Sequence, residues 1–208
     1  MRTLDARRLV LQPGEVAALT ARLRLRLPPG FDALPTTSPW SLISGDDVHP
    51  SVAAGLRATC APPVAILVAT DLGGCAGAFG IADDLGGSLL RTADSDVEVS
   101  AWPAVRLGDE LARAAPTLPE LDRPTLHVPL AELPDAPELA AVVVGTLRAT
   151  VVAPPYVLGQ VVWLATAAGW LALEPAEVRR GARWATVRPV GPCDLGAAVA
   201  PFLAAALT

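Results

Sequence analysis

Short apolar runs of strand length, punctuated by Gly, Asp and Pro, occupy most of this chain, and runs with helical spacing appear at only a few places. At the start, Arg8 to Leu11 reads as a short strand. A helix follows in which Pro13 takes the first turn and Val16, Leu19 and Leu23 share a face. Arg22, Arg24 and Arg26 then alternate with Leu23, Leu25 and Leu27, a pattern that fits the helix end or a strand equally well. Residues 28 to 41 are a Pro-rich loop. Pro50 opens a second helix reaching about Thr59, with Val52, Leu56 and Cys60 four apart and Pro62 closing it.

The next stretch predicts a meander: strands over Val64 to Thr70, Gly77 to Ala82, Gly87 to Arg91 and Val97 to Ala101, then a helix from Leu107 to Ala115. A Pro-rich connector over 116 to 137 holds the strand-like Thr125 to Leu130, and Pro137 opens a helix over Glu138 to Val144. The meander then recurs, with strands over Leu147 to Ala153, Gly159 to Thr166, Gly169 to Glu174 and Trp184 to Arg188. The last helix runs from Asp194 to Leu207, and Asp194 is positioned to cap it.

The recurrence extends to residues. Gly77, Gly87, Trp102, Val105 and Arg106 reappear 82 positions on as Gly159, Gly169, Trp184, Val187 and Arg188. After three inserted residues, Asp109, Ala112, Ala115, Pro116 and Leu118 reappear as Asp194, Ala197, Ala200, Pro201 and Leu203. An internal duplication within one domain spanning 1–208 follows, with halves of approximately 1–120 and 121–208. The repeat also decides a membrane question. Residues 149 to 173 carry no charge, yet the equivalent stretch of the first copy holds Asp71, Asp83 and Asp84, and Pro154, Pro155, Gly159 and Gly169 cut the run into strand-sized pieces. No transmembrane span is expected.

Composition narrows the class. With 52% hydrophobic and 18% charged residues the chain falls among folded proteins, and its formal charge of −5 argues against nucleic-acid binding. All 16 basic residues are arginine, and Lys and Asn are absent, which reflects a GC-rich genome. Three cysteines without C-x-x-C spacing support neither a disulfide framework nor a zinc site, and the first residues lack the apolar core of a secretory signal, so a cytoplasmic protein is expected.

Catalytic signatures are weak. Gly74, Gly77 and Gly80 precede a strand rather than the helix that a phosphate loop requires. His49 and His127 each sit beside a proline or in an edge segment, no Ser or Cys has a nucleophile-elbow context, and Asp46/Asp47, Asp83/Asp84 and Asp94/Asp96 fall where turn chemistry explains them. No enzyme, metal or cofactor is expected. The residue-level difference between the copies is apolar: Val161, Trp163, Trp170 and Leu171 stand where the first copy has Phe79, Ile81, Ser88 and Leu89. Excess aromatics of this kind serve either a core or a protein-binding surface.

The runs SLISGDDVHPSVAAGLRATCAPPVAILV, GSLLRTADSDVEVSAWPAVRLGDELARAAP and GQVVWLATAAGWLALEPAEVRRGARWATVRPVGPCDLGAAVAPFLAAAL, with the TLHVPLAEL connector, resemble the EspG family, the ESX (type VII) secretion chaperones of actinobacteria. GDDVHP, WLATAAGWL and RWATVRPV are the best markers. The resemblance implies an α+β fold, an antiparallel β-sheet with flanking helices in two pseudo-twofold-related halves. It also implies a cytosolic chaperone that keeps a PE–PPE-like or WXG-type helical substrate soluble before export. Only the Pro-rich residues 28 to 41 stand where relatives carry a strand, a long loop and a helix that take part in client recognition. Partner-binding candidates are Val161, Trp163 and Leu171 of the sheet with Phe202 and Leu203 of the last helix. The alternative is a homodimeric scaffolding relative that has lost its client.

Overall fold

A computed structural model describes residues 7–31, 48–72, 76–91, 94–121, 124–132, 143–179 and 181–206. Ten strands form one antiparallel sheet: β1 (Arg7–Leu11), β2 (Val64–Thr70), β3 (Ala76–Ala82), β4 (Leu85–Arg91), β5 (Val97–Pro103), β6 (Leu126–Pro129), β7 (Val143–Ala153), β8 (Tyr156–Thr166), β9 (Gly169–Arg179) and β10 (Ala182–Val190). Their spatial order is β1-β5-β4-β3-β2-β7-β8-β9-β10-β6. Outward from the central β2–β7 pair, each side therefore runs through a four-strand meander and ends on a short outer strand. Among the described residues the α-helices are α1 (Pro13–Arg22), α2 (Pro50–Cys60), α3 (Leu107–Ala112) and α4 (Asp194–Ala206).

The sheet has a core on each face. On one, α3 and α4 cover Ile66, Val68, Phe79, Leu147, Ala149, Val151 and Trp163, and Leu111, Leu195 and Val199 complete the cluster. On the other, α1 and α2 cover Leu89, Val97 and Val99 with Val16, Leu19 and Leu56. The second helix reaches the sheet unusually closely, because a Cβ on Gly80 of β3 would stand 1.9 Å from the Ala58 carbonyl oxygen. His49 caps α2, its Nδ1 accepting the Ser51 N–H at 3.3 Å.

Several boundaries differ from the expectations. Arg22 ends α1, and Arg24 adopts a φ of 56°, so the Arg/Leu alternation is a helix end and turn, not a strand. The helix expected over Glu138 to Val144 lies mostly outside the described residues, and Val143 and Val144 begin β7. Asp194 accepts the N–H of Gly191, three residues upstream, at 2.8 Å, rather than a donor further along the helix. Among the described residues no helix is long and apolar enough to cross a membrane, and the uncharged run 149–173 forms strands.

The residue register of the repeat also changes. The two-residue turns Asp83–Asp84 and Ala167–Ala168 correspond at a spacing of 84, not 82. Trp102 lies next to the last residue of β5, whereas Trp184 is the third residue of β10 and faces Pro129, so the two are not counterparts. Buried tryptophans do occupy a matching cross-strand pair in each meander. Trp102 of β5 lies opposite Gly86 of β4, and Trp170 of β9 lies opposite Val190 of β10. The bulky partner has changed strand, which a comparison of aligned residues cannot reveal.

Candidate partner-binding face

Period-two alternation gives the central strands two unlike faces. Val64, Ile66 and Val68 of β2, Leu147, Ala149 and Val151 of β7 and Trp163 of β8 are buried beneath α3 and α4. The opposite face carries Ala65, Leu67 and Ala69, then Arg148, Thr150 and Val152, then Gln160 and Val162, and none of these is buried. Register aligns them in rows: Ala69, Arg148 and Val162 in one, Leu67, Thr150 and Gln160 in the next. Gln160 donates its side-chain amide to Thr150 Oγ1 at 3.1 Å. Arg148 is exposed at the centre. To one side stands the α1/α2 layer, and to the other an apolar cluster of Leu164, Leu171, Leu173 and Val187 with Leu121, Leu126 and Val128.

The sequence-predicted site residues do not form one surface. Trp163 is 1% exposed and packs against Trp170 at 6.4 Å between ring centroids, and the Trp170 indole donates to the Pro116 carbonyl at 3.0 Å. Leu171 is 4% exposed and belongs to the opposite face. Both are core residues, so neither offers area to a partner in this state. Val161, Phe202 and Leu203 are partly buried against the helix-side core. Phe202 lies directly on Gly159, where a Cβ would stand 2.1 Å from its ring. The Trp excess of the second meander fills a core instead of exposing a surface. Sequence reasoning missed Arg148, although Thr146, Arg148 and Thr150 alternate with Leu147, Ala149 and Val151, the signature of a half-solvated strand.

The titratable groups serve the scaffold. Glu110 of α3 is almost wholly buried and receives Arg8 of β1 at 2.6 Å and Arg113 at 3.1 Å, while Arg113 also grips both oxygens of Glu98 on β5. Its hydrogen bonds to Glu98 first, and the charges of both carboxylates after them, hold the Arg113 guanidinium above its ordinary pKa despite partial burial. Burial pushes the Cys60 thiol up to about 11, which leaves it protonated and a poor nucleophile at neutral pH. His127 Nδ1 lies 3.1 Å from Thr186 Oγ1, joining β6 to β10. Cys75 lies outside the described residues. No group of three or more His, Cys, Asp or Glu able to hold a metal occurs among the described residues.

No family model and no curated protein matches this sequence. Among solved structures, the Mycobacterium tuberculosis type VII secretion system chaperone EspG5, determined in complex with a PE25–PPE41 dimer, superposes with a TM-score of 0.57. The match covers 96% of this chain and 96% of that one at 13% identity. The fold is EspG-like. A second structure, the Helicobacter pylori beta clamp, reaches a TM-score of only 0.17 at 8% identity, over 91% of this chain and 68% of that one, too low to bear on the fold. The EspG-like scaffold joins a helix-buried face and an open one in the same central strands.

Proposed function

We propose that this chain is a cytoplasmic chaperone that holds a helical type VII secretion substrate, PE–PPE-like, in a soluble form before export. The observation that carries the reading is the EspG-like fold over nearly the whole length of both chains. Fold alone does not fix function, so the site must agree with it. The open face of β2, β7 and β8 mixes Leu67, Val152 and Val162 with Thr150, Gln160 and Arg148, a composition that covers an apolar client surface while staying soluble when empty.

We read the sheet as two halves, approximately 1–120 and 121–208, related by an approximate twofold at the β2–β7 pair. The identical outward strand order supports this, as does the contact of α3 with α4 at Gly108 and Gly196.

The test is co-expression with a PE–PPE-type pair, followed by size exclusion with light scattering. A stoichiometric complex is expected, and Arg148→Glu, at an exposed position, should weaken it at least tenfold while leaving the melting temperature nearly unchanged. A lone monomer in repeated preparations would overturn the chaperone reading, and a concentration-dependent dimer would favour the scaffolding one.

A further inference from the structure

Strands β8 and β9 are eleven residues each, yet they pair only next to their turn, Trp163 to Thr166 with Gly169 to Ala172. The first meander behaves differently, since β3 and β4 pair from Gly77 and Leu90 down to the turn. Beyond Trp163, β8 continues alongside β7 alone, and beyond Ala172, β9 continues alongside β10 alone. The sheet therefore forks. The two-residue turn makes Thr166 and Gly169 a hydrogen-bonded pair, and alternation then points the backbone groups of Leu164, Val162 and Gln160 toward β9. Leu164 meets Leu171, but Val162 and Gln160 have no ladder partner on that side among the described residues.

The two lips of the fork are unlike. On β9, Pro175 supplies no N–H and Glu174 is bound to Arg188 at 2.5 Å, features that blunt an edge. On β8, residues 156–162 contain neither charge nor proline, and Tyr156 and Val157 at its end are 71% and 65% exposed. An uncharged, unblunted edge is a template for another strand.

We propose that the free edge of β8 takes up an extended segment of a partner protein as an added strand, one whose residues alternate apolar and acidic. Its two sides set this pattern. Toward the helix side the added strand meets Val161, Phe202 and Leu203, apolar and only partly buried. On the other side stands Arg148, opposite Val162. Arg148 is exposed and has no ion-pair partner among the described residues. A strand beside β8 lies two strand spacings, about 10 Å, from β7, a gap that an arginine and a glutamate side chain span together. The site shares Arg148 and Val162 with the proposed client face but recognises extended backbone, so the peptide and the helical client report on it separately.

The experiment uses the intact protein, an end-capped eight-residue peptide alternating valine and glutamate, and a counterpart alternating valine and lysine. The glutamate peptide should slow amide exchange at Gln160 and Val162 by about tenfold and leave Leu9 and Leu126, on the outer strands, unchanged. Arg148→Glu, at an exposed position, should weaken that peptide by about tenfold and confer binding of the lysine peptide. Wild-type protein that binds both peptides equally, protection confined to β1 or β6, or no slowing at Gln160 and Val162 at about 1 mM peptide would each overturn the proposal.

Discussion

Gly80→Ala is expected to lower the melting temperature by roughly 6–12 °C, the shift that a loss of about 3 kcal/mol produces in a domain of this size. The added methyl would stand 1.9 Å from the Ala58 carbonyl oxygen and 2.8 Å from the carbonyl carbon and from Pro62 Cβ. Backbone cannot swing aside as a flexible side chain does, so α2 must lift from the sheet. Its remaining anchors resist, because a Cβ on Gly87 would stand 2.2 Å from the Gly55 carbonyl oxygen and one on Gly55 2.8 Å from that of Ser100. Lifting the helix opens the packing of Leu56 on Leu89 and Val99. Gly108→Ala is the contrasting control: a Cβ there meets nothing within 4 Å, and alanine favours a helix by about 0.5–1 kcal/mol. Calorimetry on the two variants separates steric loss from any general intolerance of glycine replacement, and a Gly80→Ala melt within a degree or two of wild type would refute the close-approach argument.

Glu110→Ala should cost about 2 kcal/mol and should free β1 before the rest of the sheet. Removing one partner of a buried ion pair costs about 3–5 kcal/mol. The lower figure applies here because the Arg8 and Arg113 side chains are 39% and 34% exposed and water screens them once the carboxylate is gone. The local consequence is more diagnostic than the total. Strand β1 has β5 as its one sheet neighbour, and Arg8 ties it across to α3 through Glu110. Amide exchange at Leu9 should therefore accelerate by more than that at Leu147, deep in the sheet, and Glu110→Gln should show a smaller version of the same effect. Equal acceleration at both positions would mean that Glu110 supports the whole fold and not this strand.

The element pattern was readable because strands here are short apolar runs between two-residue turns and Pro or Gly breaks, and Val64 to Thr70 is recovered residue for residue. Strand extensions were harder to read. Tyr156 to Leu158 and Pro175 to Arg179 lack any local signal that a ribbon continues, since their pairing comes from β7 and β10. The recurring four-strand meander was legible as a periodicity, but the residue register read from it was misleading, because two tryptophans four residues from an arginine coincided while the buried tryptophans are Trp102 on β5 and Trp170 on β9. Trp163 and Leu171 were misplaced for a related reason: large apolar side chains were assigned to a surface, although the cores on the sheet absorb them. Arg148 was visible and was passed over, because attention fell on the uncharged run that begins at the next residue.

The β2–β7 seam has a consequence in time. Every other pairing inside the two meanders joins neighbours across a short turn or loop, whereas the seam joins residues 77 to 87 apart in sequence. Local pairs close early and distant ones late. Each meander can therefore assemble before the seam does, and during synthesis β2 waits with Val64, Ile66 and Val68 uncovered on a bare edge until β7 has been made. The order of manufacture, and not only the finished structure, leaves this seam exposed to unwanted strand pairing while the chain is being made.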